Sequence, residues 1–332
     1  MKGITSQKQE RWGIIGGFRS WRAQRKWAKV RAYIDSQGIA YDFVQSDGTG
    51  SVERLARMLT TNGYRTIVVI GSDGSLNDAI NGILSAAKEL NDGREPRLPE
   101  GFALGVVPCG IGNDFAGFWN LTTEDYRNAV DSLILRRTRR IDVGVCSYEY
   151  LHEKSKEETD KPRTMRRYFL NCVNVGLGAR LVELTNRWQG LIGSKRLSLI
   201  PVFIAQIFER KSFKIAIKAD TQLIESSVMS ICIGNATGYG QTPNAVPYNA
   251  MLDLSVIFRP LWWQLFVGAW LLGRGKFLNY KNVSASRVHN IQIIDSGKAK
   301  ISLDGRTLKR KPIGTTTISL LPEYLDFIIN KD

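Results

Sequence analysis

The chain has 332 residues, which is longer than one hydrophobic core usually serves, so two domains are expected. Apolar residues make up 43% of it and charged residues 23%, which excludes a disordered or fibrous protein. The formal charge of +15 favours an anionic partner, such as a phosphorylated ligand, nucleic acid or an anionic membrane surface.

The first part of the chain alternates strand-like and helical patterns. The strand-like segments are RWGIIGGF, YDFVQS, TIVVIGSDGS and FALGVVPCG, and helices are predicted at about 20–37, 52–61 and 76–90 and in NDFAGFWN. Repeated strand–helix units with short glycine-containing links predict a parallel sheet wound on both faces. Ligands bind such sheets at the carboxyl ends of the strands.

From about residue 139 the pattern changes to many short β segments, typical of a β-sandwich or barrel. Helical insertions are predicted near 181–209 and 260–278, and the charge-dense segment 152–167 predicts a solvated loop. The expected fold class is α/β plus all-β: a doubly wound nucleotide domain and a C-terminal β-sandwich domain. The first domain spans 1–138, with the tail 320–332 returning to it, and the second spans 139–319.

Three further features bear on the location of the protein. The N-terminus lacks the long apolar segment of a secretion signal, and the four widely spaced cysteines predict buried, reduced thiols, so a cytoplasmic protein is expected. The aromatic segment 260–276 is too short to span a membrane. The spacing of Trp262, Trp263 and Trp270 favours core packing, and a surface facing the membrane is the alternative.

The segment IVVIGSDGSLNDAING predicts a strand, a glycine turn and the start of a helix. Gly71 and Gly74 let backbone N–H groups approach an anion, and the N-terminus of the helix favours phosphate. Asp73 would repel a bare phosphate, so we interpret it as a residue that holds magnesium or an ordered water beside the phosphates. The alternative is that the turn is a helix cap with no ligand.

A second turn, VVPCGIGNDFAGFWNL, repeats this design, with Gly110 and Gly112 in the loop and Asn113 and Asp114 opening a helix. Two such turns at the ends of neighbouring strands indicate a phosphate site much more strongly than one turn does.

These residues resemble the diacylglycerol kinase family of lipid kinases, which includes the sphingosine kinases. The family turn Gly-Gly-Asp-Gly-Thr, followed by Leu-Asn-Glu and Asn-Gly, is matched by 71–82. The family motif Pro-x-Gly-Thr-Gly-Asn-Asp-Phe-Ala is matched by 108–116. The similarity continues through IDVGVC, FLNCVNVGLGA, IGNATGYGQTPNAVPYNAMLDLSVI and ISLDGRTL, which is nearly the whole chain.

The resemblance implies that ATP binds in a cleft between the two domains and that its γ-phosphoryl group passes to a lipid hydroxyl, with magnesium on the phosphates. Asp73 and Asp114 are the implied magnesium ligands. The implied nucleotide-binding residues are Ser46, Gly71, Ser72, Asp73, Gly74, Ser75, Asn77, Gly110, Ile111, Gly112, Asn113 and Asp114.

The chain departs from the family pattern at its third motif, Pro-x-Ala-x-x-x-Asp-Gly-x-Leu-Asp. Here PNAVPYNAMLD places Asn249 and Ala250 at the Asp-Gly pair. The family Asp is regarded as the general base for the lipid hydroxyl, and an amide cannot accept a proton at neutral pH. Asn249 can still orient the hydroxyl, and Asp253, four residues on, is a candidate substitute base. Ser72 and Ile111 also replace family residues.

The resulting functional hypothesis is an ATP- and magnesium-dependent lipid kinase of phospholipid metabolism. It would phosphorylate a membrane lipid alcohol such as diacylglycerol, and would be cytoplasmic or peripheral at the inner face of the membrane, with a homodimer as one expectation. The alternative, motivated by Asn249 and Ile111, is a catalytically weak or inactive relative that binds nucleotide or lipid in a regulatory role. No nucleic-acid-binding pattern occurs in the sequence, so no nucleic-acid partner is expected.

Overall fold

The computed structural model describes most of the chain, in two compact units. The described residues are 11–17, 21–48, 50–109, 112–151, 162–179, 212–259, 261 and 263–331. Unit 1 comprises Met1–Ile141 and Glu323–Asp332, and unit 2 comprises Asp142–Pro322. The predicted helix at 181–209 lies outside the described residues.

Unit 1 contains a parallel sheet with the strands β1 (Trp12–Gly16), β2 (Tyr41–Gln45), β3 (Thr66–Gly71) and β4 (Ala103–Pro108). They have the order β2-β1-β3-β4, and the end of the last strand of the chain, β15 (Ile313–Ile328), pairs with β4 through Phe327 and Leu104. Strands β1, β3 and β4 are buried along their whole length, as continuous apolar segments of parallel sheets are.

The helices of unit 1 follow these strands and bury apolar stripes. They are α1 (Trp21–Ser36), α2 (Ser51–Thr61), α3 (Asp73–Leu90), α4 (Asp114–Phe118) and α5 (Tyr126–Leu135). Helices α2 and α3 cross so closely that a Cβ atom on Gly82 would lie 2.1 Å from the backbone oxygen of Glu53. Glycine is therefore required at this crossing.

Unit 2 is antiparallel, with strand order β14-β13-β7-β9-β8-β12-β15, and β10 pairs with both β9 and β11. Two long strands, β5 and β15, contribute residues to both units. The strands are β5 (Thr138–Tyr150), β6 (Arg163–Phe169), β7 (Cys172–Gly176), β8 (Phe213–Ala219), β9 (Gln222–Gly234), β10 (Leu252–Phe258), β11 (Val283–Val288), β12 (Ile291–Asp295), β13 (Ile301–Leu303), β14 (Arg306–Thr307) and β15 (Ile313–Ile328).

Alternating apolar residues of these strands form the main core of unit 2, with Phe169, Val173, Ile233 and Ile291 fully buried. One helix, α6 (Gln264–Gly273), lies between β10 and β11 and packs its Leu271 and Leu272 against a smaller cluster around Phe277 and Tyr280.

The predicted fold class is confirmed, because the strands of unit 1 are parallel and those of unit 2 are antiparallel. The favoured interpretation of the tryptophans as core residues is wrong for Trp263 and Trp270, whose side chains are 50% and 55% exposed. Trp262 lies outside the described residues. Among the described residues no helix is long and apolar enough to cross a membrane.

Candidate active site

The first glycine turn forms where β3 passes into α3. Gly71 ends the strand, and a Cβ atom there would lie 2.7 Å from the side chain of Ser75. Ser72 is the N-cap residue of α3, and its carbonyl oxygen accepts hydrogen bonds from the N–H groups of Ser75 and Leu76 at 2.8 and 3.0 Å. The sequence thus folds locally into a tight turn that opens directly into a helix.

Asp73 connects this turn to the second one. Its backbone N–H donates to the carbonyl oxygen of Gly112 at 2.7 Å, and its carboxylate accepts hydrogen bonds from the N–H groups of Asp114 at 2.9 Å and Phe115 at 3.2 Å. The Asp73 side chain is buried. Asp73 therefore caps the first turn of α4, a helix far away in sequence. This role was not predicted from the sequence.

The second turn offers open space to a ligand. A Cβ atom built on Gly112 would meet no atom within 4 Å, and the backbone there is not in the left-handed region. Neither crowding nor conformation within the described residues explains glycine at this position. The open space leaves room for close approach of a ligand to the backbone, which is the purpose that glycines serve in phosphate-binding turns. Gly110 and Ile111 lie outside the described residues.

The ends of β1 and β2 lie side by side. A Cβ atom on Gly17 would be 3.1 Å from the carbonyl oxygen of Ser46. The hydroxyl of Ser46 lies 2.5 Å from that of Ser51, the first residue of α2, and Ser51 Oγ in turn donates to the carbonyl oxygen of Gly48 at 2.9 Å. Ser46 thus helps to shape the loop that leads into α2, at the same sheet edge as the glycine turns.

Asn77 and Asn81 are buried inside α3, where Asn81 Nδ2 donates to the carbonyl oxygen of Asn77 at 2.8 Å. Asn77 therefore lies about one helix turn beyond Asp73, with its side chain buried. Gly82, the next residue of the motif, serves the packing of α2 on α3 described above.

Lys26 is a site residue that the sequence analysis missed. Its Nζ donates to the carbonyl oxygens of Pro108, at 3.1 Å, and Thr123, and so fixes α1 to the end of β4. Burial lowers the pKa of Lys26 and raises that of the neighbouring Cys109 thiol. A single lysine early in the helix that follows a glycine loop is a weak sequence signal for a site. The two carbonyl groups that it binds are distant in sequence.

In unit 2, Asn249 lies in an exposed turn before β10. Its Oδ1 accepts a hydrogen bond from the N–H of Met251 at 3.0 Å. Ala250 adopts φ = 57°, the left-handed conformation that favours glycine, and its N–H donates to Asp142 Oδ2 at 2.7 Å. The turn therefore keeps the backbone shape that suits an Asp-Gly pair although both residues differ.

A buried polar network supports this turn. Asp142 is fully buried, and its backbone N–H donates to the carbonyl oxygen of Pro247 at 2.8 Å. Asn235 Nδ2 donates to the carbonyl oxygens of Asp142, at 3.0 Å, and Leu170, at 2.8 Å. The carboxylate of Asp304 accepts the N–H of Leu170 at 2.7 Å. These side chains belong to segments quoted above for the family resemblance, but the sequence does not show that they join one another.

Asp253 is engaged in an ion pair. Its Oδ1 accepts from Arg287 Nε at 2.8 Å, and this contact raises the pKa of Arg287. The two residues face each other on β10 and β11 and line a cavity of about 180 Å³ together with Thr242, Asn244 and Ser286. The ion pair with Arg287 thus occupies Oδ1 of the Asp253 carboxylate.

The structure thus joins the predicted site residues of unit 1 to one another but not those of unit 2. Asp73, Gly112 and Asp114 are joined directly through hydrogen bonds, whereas Asn249 and Asp253 have separate partners in unit 2. Among the described residues no group of three or more His, Cys, Asp or Glu side chains forms a metal site. Magnesium is commonly held by one or two carboxylates together with phosphate oxygens and water, and the carboxylates at these two turns are those of Asp73 and Asp114.

Two family models match the chain. The diacylglycerol kinase catalytic domain matches residues 19–146, and the YegS C-terminal NAD kinase beta sandwich-like domain matches residues 171–329. Both glycine turns fall within the first match. Asn249 falls within the second, together with Asn235 and Asp304 of the buried polar network.

Relatives support the same assignment. The chain is 22% identical over 291 residues to the diacylglycerol kinase of Bacillus subtilis (strain 168), covering 84% of this chain and 83% of the relative. It is 25% identical over 211 residues to a probable lipid kinase YegS-like protein of Chromohalobacter salexigens, covering 63% of this chain and 58% of the relative.

A solved structure shows the same fold. The crystal structure of a Bacillus anthracis str. Sterne protein, described provisionally as a diacylglycerol kinase, superposes with a TM-score of 0.69 at 17% identity. The match covers 98% of this chain and 99% of that one. Because the catalytic-domain and C-terminal-domain models follow one another along the chain and the relatives carry the same names, the chain belongs to the diacylglycerol kinase family of lipid kinases.

Proposed function

We propose that the protein is an ATP- and magnesium-dependent kinase that transfers the γ-phosphoryl group of ATP to the hydroxyl of a membrane lipid alcohol such as diacylglycerol. The observation that carries the proposal is the joining of the two glycine turns through Asp73, with open space in front of Gly112. Phosphoryl transfer depends chiefly on positioning and on stabilisation of charge, and a rigid pair of backbone turns supplies the first of these.

On the donor side, the two turns would hold the phosphates. The N–H groups of Asp73, Ser75 and Asp114 already donate within or between the turns and so fix the shape of the site around the phosphates. Gly71, Ser72, Gly74 and Ser75 form the first turn, and Gly112 with Asn113 forms the described part of the second. The three-bond link through Asp73 fixes one turn relative to the other, so the phosphate-binding backbone would be arranged before ATP arrives.

Asp73 and Asp114 would hold the magnesium ion. Asp73 lies at the junction of the two turns, where each of its carboxylate oxygens accepts one backbone N–H, and Asp114 is partly exposed. When bound, magnesium bridges the phosphate oxygens and neutralises the charge that develops on them.

On the acceptor side, Asn249 would orient the lipid hydroxyl. Since Oδ1 is engaged in its own turn, the group that remains for a ligand is the amide Nδ2, which can donate to the hydroxyl oxygen. Asn249 therefore positions the nucleophile and removes no proton. Asp253, whose Oδ1 is paired with Arg287, is the candidate substitute base.

The second candidate function is a weak or inactive relative that binds nucleotide or lipid. The observation that favours it is the amide at the position of the family base, whose loss typically lowers the rate by ~10²–10⁴-fold. The two candidate functions differ in whether the natural protein phosphorylates a lipid alcohol at all.

The test is transfer of labelled phosphate from ATP, with magnesium, to a panel of lipid alcohols dispersed in detergent micelles. We expect the natural protein to phosphorylate diacylglycerol and Asn249→Ala to be at least several-fold slower. Asn249→Asp retains the turn bond to Met251 and should be active. Gln292→Glu, the same change of an amide to an acid at an exposed position of β12, should match the natural protein. An inert natural protein beside an active Asn249→Asp variant would overturn the kinase proposal and establish the silent relative.

A further inference from the structure

Helix α6 of unit 2 is apolar on every side. Its sequence, QLFVGAWLLG, contains no charged residue. A helix that is hydrophobic all round is normally surrounded by protein or by lipid. The environment of each face of α6 therefore decides what the helix does.

One face of α6 is covered by protein. Leu271 and Leu272 pack against the cluster around Phe277 and Tyr280, and a Cβ atom on Gly268 would lie 3.1 Å from the Tyr280 ring. The Tyr280 hydroxyl donates to the carbonyl oxygen of Gln264 at 3.0 Å. These contacts hold the helix in a fixed orientation on β10 and β11.

Another face presents large apolar side chains to solvent. Trp263, Phe266 and Trp270 are 50%, 50% and 55% exposed, and Leu261 and Val267 are 55% and 43% exposed. They follow one another at helical spacing, so they form one patch, which we term the α6 patch. Contiguous exposed patches of this kind mark interaction sites, and tryptophan is enriched where a protein meets the membrane interface.

The charge around the α6 patch identifies its partner. The stretch from Arg259 to Lys281 contains four basic residues and no acidic one, and its basic residues are exposed: Arg259, Arg274, Lys276 and Lys281. The guanidinium of Arg274 lies 4.2 Å from the centre of the Trp270 ring. The apolar side chains of such a surface match the acyl chains of a bilayer, and the basic residues around them match anionic lipid headgroups.

We propose that the α6 patch is a membrane-docking surface, which inserts Trp263, Phe266 and Trp270 at the headgroup–acyl boundary of a bilayer containing anionic lipid. The ten residues of α6 span about 15 Å, so the helix would lie in the interface. The proposal identifies the docking surface, and it requires no step of the kinase reaction, so it can be tested without ATP and without diacylglycerol.

The test is co-sedimentation of the whole protein with vesicles of phosphatidylcholine alone or mixed with phosphatidylglycerol. We expect binding to the anionic vesicles and much weaker binding to the neutral ones. Phe266→Ala and Trp270→Ala should each weaken binding roughly five- to ten-fold, because each removes a half-exposed aromatic side chain that the bilayer would bury. Leu223→Ala is the matched control, since Leu223 is 55% exposed elsewhere in unit 2.

Two further experiments test the attraction between the basic residues and anionic lipid and the depth to which the tryptophans insert. Lys276→Gln should weaken binding to anionic vesicles only, whereas Lys298→Gln, an exposed lysine away from α6, should leave it unchanged. Vesicle lipids with brominated acyl chains should quench the tryptophan fluorescence of the natural protein more than that of the Trp270→Phe variant. The proposal is overturned if the α6 variants bind vesicles as the natural protein does. It is also overturned if they instead disperse a dimer seen by sedimentation velocity, which would make the α6 patch a contact between copies.

Discussion

At the scale of single residues, the acceptor turn shows how this chain departs from its family. Asn249 replaces a carboxylate and Ala250 replaces a glycine, yet the backbone keeps φ = 57° at Ala250 because Asp142 binds its N–H and Met251 binds Asn249. The hydrogen bonds that define the turn thus outweigh the steric cost of a Cβ atom in the left-handed region, which is about 1–2 kcal/mol. The chemistry of the position has changed, and the backbone still has the left-handed conformation that favours glycine.

This residue-scale argument predicts that Ala250→Gly stabilises the protein. Glycine removes the Cβ strain, and part of that gain is offset by the greater freedom of glycine in the unfolded chain, so an increase of up to about 1 kcal/mol in the free energy of unfolding is expected. Urea unfolding measures it. Ala285→Gly, an exposed residue of β11 with ordinary backbone angles, should have the opposite sign, a loss of about 0.5–1 kcal/mol. Equal effects at the two sites would contradict the strain argument.

At the scale of elements, the two glycine turns form one unit because a side chain from α3 caps α4. Asp73 satisfies two N–H groups at the start of a five-residue helix that has no side-chain cap of its own. So short a helix is held by such contacts, since local helix formation is unfavourable below about a dozen residues. Asp73 is therefore both a proposed magnesium ligand and a structural tie.

The element-scale prediction is that Asp73→Asn lowers the free energy of unfolding by about 1–3 kcal/mol, because a buried charged acceptor of two backbone bonds becomes a neutral amide with one acceptor oxygen. The same substitution at Asp125, the exposed N-cap of α5, should cost less than about 0.5 kcal/mol, since asparagine caps helices as well as aspartate does. Thermal and urea unfolding of both variants decide the matter, and similar losses would argue against the capping role of Asp73.

At the scale of the whole molecule, the formal charge of +15 and the basic rim of the α6 patch act together on an anionic surface. Such attraction is screened by salt, with a Debye length of about 10 Å at 0.1 M that falls to about 3 Å at 1 M. Phosphorylation of diacylglycerol in anionic vesicles should therefore fall roughly ten-fold or more as salt rises over this range.

The matched measurement uses the same substrate in non-ionic detergent micelles, where no anionic surface is present and the turnover should change little with salt. If salt lowered both rates equally, the effect would lie in ATP binding or in catalysis, and the whole-molecule electrostatic argument would fail.

The sequence by itself determined the fold class and the positions of both glycine turns, because apolar periodicity and glycine spacing are local properties of the chain. Helix α5 was missed although Asp125 and the apolar positions Ala129, Val130 and Leu133 carry a local signal for it. The departure at Asn249 was likewise readable from the motif alone.

Only the tertiary structure decided which residues meet. The cap that Asp73 gives to α4, the hold of Lys26 on the end of β4 and the network of Asp142, Asn235 and Asp304 all join residues distant in sequence. The exposure of Trp270 was decided in the same way, since an apolar helix has the same sequence pattern whether protein or solvent covers its outer face. Periodicity records which residues are apolar, and packing of distant segments settles which of them are buried.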